Sequence, residues 1–593
     1  MKIAIAQLNP IIGDLQGNAQ QILAAAHQAS VQGVRLLLTP ELSLCGYPPR
    51  DLLVEPGFVQ AMELALQQLA EDLPAELAVL VGTAESNRRS ISHGGKSLFN
   101  SIAWLEQGQV QQRFHKRLLP TYDVFDEDRY FAAGAEPNIL TLEGLRIGVT
   151  ICEDFWNDEQ FWGQRNYVVD PVADLVQQNV NLIVNLSASP FCVGKQRLRE
   201  AMLHHSAQRY HQPMIYTNQV GGNDELIFDG RSVAFNRQGE IVGRAPAFEP
   251  DLLILTLDAV TGDLLPGPVA AQPENEDAEI WAALVVGVRD YTRKCNFSQV
   301  VIGLSGGIDS ALVAAIAVAA LGPENVLGVL MPSPYSSDHS LRDALALADN
   351  LGIQTKTLPI ADLMHAYDQT LAGIFAGTAP GVAEENIQAR IRGNLLMAIA
   401  NKFGYLLIST GNKSEMAVGY CTLYGDMNGG LAAIADVPKT RVYSLCHWLN
   451  SDVGFHSFSN LQPKFLVSEN PRSSQNPKLP IIPPNILTKA PSAELKPGQV
   501  DQDSLPSYEV LDNILHRFID QHQSLAQIVE AGHDTAVVQR VIQMVNQAEF
   551  KRRQAPPGLK ITDRAFGSGW RMPIAAHPTL SVSTQNKQNP SLV

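Results

Sequence analysis

Cysteine is scarce in this chain: six residues in 593, Cys45, Cys152, Cys192, Cys295, Cys421 and Cys446, with no C-x-x-C pair among them. That argues against a zinc knuckle, a dithiol redox motif and a disulfide framework, and leaves free thiols in a reducing compartment as the expectation. No run approaches the ~18 consecutive apolar residues of a membrane-spanning helix. The opening Met-Lys-Ile-Ala-Ile-Ala-Gln reads as a short strand and lacks the long apolar stretch and small-residue cleavage site of a secretory leader, so a cytoplasmic protein is expected. No repeat of 20–50 residues is present, which argues against solenoids and propellers. Positive charge is in deficit. With 44 Lys and Arg against 60 Asp and Glu, the formal charge is −16, unfavourable for a general nucleic-acid or acidic-membrane binder. A nucleotide substrate is not excluded, since it needs only a few local cations and backbone N–H groups.

A 45% hydrophobic and 18% charged composition is that of a globular protein, and 593 residues exceed what one hydrophobic core serves, so at least two domains are expected. Residues 1–260 alternate strand-like runs (Lys2–Leu8, Val34–Glu41, Leu77–Glu85, Asn100–Leu105, Arg146–Asp154, Asn181–Ser189, Pro213–Val220) with helical ones such as Asn18–Gln32 and Phe58–Asp72. Residues 261–280 are Gly/Pro-rich, then acidic, and read as a linker. From Trp281 to residue 576 a second α/β unit is expected. It opens with a helix to Lys294, and strands Gln299–Leu304, Val326–Met331 and Tyr405–Thr410 suggest a doubly wound parallel sheet. The Pro-, Ser- and Asn-rich stretch 452–488 reads as a surface loop, and the polar tail 577–593 as disordered.

The sharpest local signal is Ser305-Gly306-Gly307-Ile308-Asp309-Ser310, set between an apolar strand and an Ala/Val-rich helix. Paired glycines let successive N–H groups converge as an anion nest, and the helix N-terminus adds partial positive charge. Asp309 would repel a bare phosphate, so a bridging Mg²⁺ is implied. The lysine of the Walker A loop is absent. The hexapeptide resembles the S-G-G-x-D-S loop of the N-type ATP pyrophosphatases, which adenylate a substrate oxygen and release pyrophosphate. On that resemblance Gly303, Leu304, Ser305, Gly306, Gly307, Ile308, Asp309 and Ser310 would meet ATP.

Downstream come Asn386-Ile387-Gln388-Ala389-Arg390-Ile391-Arg392, Thr410-Gly411-Asn412-Lys413-Ser414-Glu415, Gly419 to Asp426, Pro438-Lys439-Thr440, Pro491 to Leu495, Asp501 to Pro506 and Arg564 to Pro573. In this order they resemble the NAD synthetase family. The resemblance implies Thr410 and Lys439 as further ATP contacts. It implies Asn386, Glu415, Tyr420, Cys421, Thr422, Leu423 and Lys551 as contacts to deamido-NAD, and Asp309 with Glu415 as Mg²⁺ ligands. It also implies a homo-oligomer.

In the first half, Cys152 ends an apolar run in Gly148 to Asp154, Glu41 ends another in Leu36 to Leu42, and Lys116 lies in Phe114 to Pro120. A thiol, a carboxylate base and a cation meet the three needs of amide hydrolysis through a thioester: a nucleophile, a proton acceptor and an oxyanion stabiliser. Pro-Glu-Leu, Gly-Tyr-Pro-Pro-x-Asp-Leu, Lys-x-x-Leu-Pro and Cys-Glu-Asp, in that order, resemble the nitrilase superfamily. Within it the match is to the glutaminase domain of glutamine-dependent NAD synthetases, which implies an α-β-β-α sandwich. Cys152 would be the nucleophile, Glu41 the base, Lys116 the oxyanion stabiliser and Glu127 its orienting partner. Tyr122, Ser189 and Lys195 would bind glutamine. A different glutamine-dependent ATP pyrophosphatase, or an amidase with an ATP-sensing domain, is the competing reading; AMP formation separates the second.

Overall fold

A computed structural model of the chain describes residues 1–88, 95–461, 480–496 and 498–576. The chain divides into two compact units, Met1–Lys294 and Cys295–Val593.

In the first unit, the strand-like runs assemble into two six-stranded sheets. One runs, in spatial order, Asp251–Thr256, Lys2–Gln7, Leu36–Leu38, Ala78–Ser86, Leu98–Glu106, Gln109–His115. The other runs Ile241–Arg244, Val233–Phe235, Met214–Asn218, Leu182–Ser187, Leu145–Ile151, Ile139–Leu142. The central strands of each are parallel and the outer ones antiparallel. Central strands bury both faces, so they are apolar at every position, and alternate residues serve different layers. Ile3, Ile5, Leu36 and Leu38 meet Ile147, Val149, Leu182 and Val184 between the sheets. Ala4, Ala6 and Leu37 turn outward onto Ile22 and Met62 of helices Leu15–Val31 and Pro56–Asp72. On the opposite face Ile183 packs on Met202 and Leu203 of helix Lys195–Tyr210. The result is the expected α-β-β-α sandwich.

Two boundaries differ from the sequence reading. The linker expected over 261–280 gives way at Glu276 to the helix Glu276–Lys294. That helix packs with the first unit, against the hairpin Val220–Asn223/Leu226–Asp229. Its last residue, Lys294, donates to Asn9 Oδ1, Pro10 O, Gly222 O and Asn223 Oδ1 at 2.7–2.9 Å. Four acceptors around one ammonium outweigh the charge pattern that made this segment read as the start of the second unit.

The second unit is built on five parallel strands in the order Gln354–Thr357, Val326–Leu330, Val300–Gly303, Leu406–Ser409, Leu431–Ala432. Chain order reverses between Val300–Gly303 and Leu406–Ser409, the switch point where open α/β sheets bind ligands beyond their strand ends. Helix Ile308–Leu321 is buried almost all round, as its Ala/Val composition requires. A helical cluster not anticipated from sequence follows. Leu511 and Ile514 of Tyr508–Leu515 pack on Val538, Val541 and Val545 of Thr535–Gln547. The stretch read as a loop over 452–488 instead carries helices Asp452–Leu461 and Pro484–Thr488, with Ile481, Ile482 and Ile486 buried; its middle and the tail from 577 lie outside the described residues.

Two candidate active sites

In the first unit Glu41, Lys116, Cys152 and Ser189 all follow the ends of strands, and side chains from both sheets converge there. The strands stop earlier than the apolar runs suggest: Leu36–Leu38 ends before Glu41, and Leu145–Ile151 ends at the residue before Cys152. Cys152 opens a short 3₁₀ turn, Cys152–Phe155, with φ +42°, a left-handed conformation that costs a non-glycine residue energy and persists only where its surroundings hold it. Asp154 is what holds it. Its Oδ2 accepts the Ile151 N–H at 3.0 Å, while Oδ1 accepts the N–H groups of Arg117 and Leu118 at 2.9 and 2.8 Å. One carboxylate thus ties the thiol's turn to the segment carrying Lys116.

Lys116 is fully buried and donates from Nζ to Glu41 Oε1 and Glu127 Oε1, each at 2.7 Å. Asn100 Nδ2 donates to both carboxylates, at 2.7 and 3.2 Å, Tyr47 OH to Glu127 at 3.0 Å, and the Ala188 N–H to Glu41 Oε2 at 3.1 Å. Burial works against the Lys116 charge, but Glu127 and Glu41 outweigh it and hold its pKa well above the ordinary lysine value. Burial likewise pushes Glu127 up to about 7 against the pull of Lys116, and raises the Cys152 thiol, with Glu41 adding to the rise and Lys116 opposing it. A thiol that resists ionisation, beside a carboxylate and an ammonium, is suited to losing its proton as it attacks rather than beforehand.

Around Cys152, Tyr122 donates from OH to Glu153 Oε2 at 3.0 Å, and Tyr167 to Glu153 Oε1 at 3.0 Å. Ser189 donates its N–H to Asn218 Oδ1 at 2.9 Å, and its hydroxyl receives Arg199 Nη2 at 3.4 Å. Lys195 begins the helix Lys195–Tyr210, donating to Pro190 O at 3.0 Å with Nζ 5.8 Å from the centre of the Trp156 ring. Tyr47, Asn100, Glu153 and Tyr167 join this site without having been singled out by role. Tyr47 and Glu153 stand inside the quoted motifs; Asn100 and Tyr167 carry no local signal.

In the second unit the Ser305–Ser310 loop opens into a cavity of about 310 Å³ at the strand ends. Gly306 has φ +75°, and a Cβ there would sit 2.2 Å from Ser340 O, so glycine alone fits the bend. The Gly307 N–H donates to Ser305 Oγ at 3.2 Å, and Ser310 Oγ to Gly307 O at 2.9 Å. Among the described residues no side chain caps helix Ile308–Leu321, whose first residues line the cavity. Gly303, Leu304, Ser305, Gly307, Ile308, Asp309, Ser310, Thr410, Glu415, Tyr420, Cys421 and Lys439 line it; Gly306 turns behind it. Lys439 Nζ donates to Asp309 Oδ2 and, at 3.2 Å, to Glu415 Oε1; Asn412 Nδ2 braces Asp309 Oδ1 at 2.9 Å. Burial pushes Glu415 up to about 7, Lys439 pulling down and Asp309 adding to the rise.

Four residues expected at a dinucleotide are not cavity walls. Thr422 Oγ1 donates to Asn386 Oδ1 at 3.0 Å, Leu423 O accepts Arg390 Nε at 3.2 Å, and Lys551 Nζ donates to Gly419 O and Cys421 O at 2.8 Å each. Together they brace the loop that carries Tyr420 and Cys421. Arg392, Lys489, Glu494 and Asp501 line the cavity although no role was read for them.

The two halves define the class: a carbon-nitrogen hydrolase family model matches residues 2–264, and an NAD synthase model matches residues 280–555, beginning within the helix Glu276–Lys294. Over 578 residues the chain is 59% identical to the glutamine-dependent NAD(+) synthetase of Synechocystis sp., covering 97% of this chain and 99% of that relative. It is 43% identical to the glutamine-dependent NAD(+) synthetase of Thermotoga maritima, over 97% and 98% of the two chains. Among solved structures, the glutamine-dependent NAD+ synthetase of Acinetobacter baumannii in complex with ADP matches at 39% identity and TM-score 0.73, over 97% of this chain and 98% of that one. The chain belongs to the glutamine-dependent NAD(+) synthetase family.

Proposed function

We propose that this chain converts deamido-NAD to NAD with ATP and glutamine. In the first unit Glu41 takes the Cys152 proton as Sγ attacks the glutamine carboxamide. The Lys116 ammonium stabilises the tetrahedral oxyanion, which collapses to a thioester as Glu41 returns the proton to departing ammonia. Water, deprotonated by Glu41, then releases glutamate. Glu127 holds Lys116 in place; Tyr122, Ser189 and Lys195 bind glutamine, Lys195 facing its α-carboxylate.

In the second unit the nicotinate carboxylate of deamido-NAD attacks the α-phosphorus of ATP, pyrophosphate leaves into the N–H nest of Ser305–Ser310, and ammonia displaces AMP from the acyl-adenylate. Thr410 and Lys439 serve ATP; Asn386, Glu415, Tyr420, Cys421, Thr422, Leu423 and Lys551 form or brace the dinucleotide site. Two carboxylates, Asp309 and Glu415, aimed at one point on the wall of a cavity suit Mg²⁺, which takes one or two carboxylates and completes its shell with water and phosphate oxygens. Asp309 and Glu415 would hold the ion, which would supply charge neutralisation for a departing pyrophosphate.

The observation that carries the reading is the presence on one chain of a buried Glu41–Lys116 pair beside Cys152 and a glycine loop opening on a cavity. The test is product counting. With ATP, deamido-NAD and glutamine, NAD, AMP and pyrophosphate should form in equal amounts; ADP and phosphate in their place would overturn adenylation. The reading includes a cytoplasmic homo-oligomer, checked by light scattering of the purified chain and by cell fractionation.

A further inference from the structure

Among the described residues, three cations line the cavity of the second unit: Lys439, Lys489 and Arg392. Lys439 is held by Asp309 and Glu415, and Lys489 by Glu494 at 2.8 Å and by Ser340. Arg392 is different. On helix Val382–Phe403 it sits one turn before Leu396, and its Nε donates to Met331 O at 3.1 Å, just past the end of strand Val326–Leu330. Among the described residues it has no carboxylate partner and no second hydrogen bond. The two acids whose charge reaches it are already engaged. Glu494 accepts from Ser337, Ser340 and Lys489, and Asp426 Oδ1 accepts the Thr422 N–H at 2.7 Å. Burial accordingly draws its pKa below the ordinary guanidinium value, with Glu494 and Asp426 opposing.

A guanidinium kept charged in a partly buried wall, with its fork unspent, is costly unless an anion completes it. Its surroundings place it beside the phosphate loop. A Cβ on Gly303 would meet Leu396 Cδ1 at 3.2 Å and Met331 Cε at 3.6 Å, so the two neighbours of Arg392 abut the strand that ends in Ser305–Ser310. In a chain with a formal charge of −16, a free planar fork on the wall of a nucleotide-sized cavity is matched to phosphate oxygens, which it can grip in bidentate fashion.

We propose that Arg392 binds a nucleotide phosphate through its two Nη groups, a role that rests on the adenylation reading above. The α-phosphate of ATP and the pyrophosphate of deamido-NAD share that chemistry. Calorimetric titration of the wild type, R392Q and R392K with ATP–Mg²⁺ and, separately, with deamido-NAD distinguishes the two. R392Q should bind one of them on the order of 10–100-fold more weakly, and R392K should recover only part of the loss, because a point charge lacks the fork. The arm that weakens names the source. A purely structural role through Met331 would lower the unfolding temperature and leave both affinities unchanged, and that result overturns the proposal. If R392Q does not fold, R392K carries the test, with wild-type affinity for both ligands as the overturning result. A wild type that binds no ATP would instead sink the adenylation reading.

Discussion

Each unit holds a lysine between two carboxylates, Lys116 between Glu41 and Glu127, Lys439 between Asp309 and Glu415, yet the two clusters are built for opposite behaviour. The first is sealed. Lys116 and Glu41 are wholly buried, and the free positions on the carboxylates are taken by Asn100, Tyr47 and the Ala188 N–H. The second opens on a cavity, and its carboxylates bond little beyond Lys439 and Asn412. A proton relay works best when its donors and acceptors do not move, which full burial and saturated hydrogen bonding enforce. A polyphosphate site must rearrange its charges when ligand arrives, which a cavity wall permits. On the reading proposed above, the same three charges would serve as a fixed acid–base pair in one unit and as a resting salt bridge in the other.

Removing the proposed nucleophile tests the independence of the two clusters most severely. Cys152→Ala should lower glutamine-dependent NAD formation by at least about a thousandfold while leaving ammonia-dependent formation within about twofold. Both rates are read from NAD produced with glutamine or ammonium chloride. Loss of both activities in a folded variant would mean the sites are not separable. Asp309→Ala is the reciprocal experiment. It strips one carboxylate from Lys439 and from the proposed Mg²⁺ site, so both nitrogen sources should fail by roughly a hundredfold or more, while glutamate release from glutamine persists. A variant that still makes NAD from ammonia would refute the metal role.

Most of the architecture was legible in the sequence because parallel strands buried on both faces read as continuous apolar runs: five of the seven strands expected in the first unit lie within a residue or two of their observed limits, Leu145–Ile151 stops three residues before its expected end, and the central strand of the second unit is found as expected. Leu36–Leu38 is shorter than its apolar run because the chain leaves the sheet to deliver Glu41. Edge strands such as Ile241–Arg244 were not read, since half-buried strands have mixed composition. The helix Glu276–Lys294 was divided wrongly because an acidic start looks the same in a linker and in a helix's first turn, where acidic residues favour the N-terminal dipole. Cys152, Glu41 and Lys116 were legible as motif residues. Asn100 and Tyr167 were not, because their contributions depend on contacts made across the fold, Asn100 to Glu41 59 residues away.

A smaller effect separates the loop from its lysine. Gly306→Ala would place a Cβ 2.2 Å from Ser340 O at φ +75°, so the bend must open. Stability should fall by about 1–3 kcal/mol and ATP affinity by about tenfold, with glutaminase kinetics unchanged. Unchanged ATP affinity would show that the nest is not where phosphate binds.

The subtlest expectation concerns pH. Burial holds the Glu415 carboxyl at about 7 in the folded chain, against an ordinary value of 4.5. Between those limits the folded state binds a proton that the unfolded chain has released. Its contribution to stability is therefore complete below pH 4.5 and is lost as pH rises through about 7. Glu415→Gln removes this term: relative to the wild type, the unfolding temperature of the ligand-free protein should fall less between pH 5 and 7.5, by a few degrees at most. Glu127, also held at about 7, contributes with the same sign in the first unit and is untouched by the substitution, so the difference between the two chains isolates the cavity carboxyl. Identical slopes would mean that Glu415 is ionised throughout that range. On the metal role proposed above, a Glu415 that titrates near 7 should also make the wild type gain ATP–Mg²⁺ affinity as pH rises through that value, because only its ionised carboxylate would hold the ion; an affinity that falls over that range would reverse the assignment.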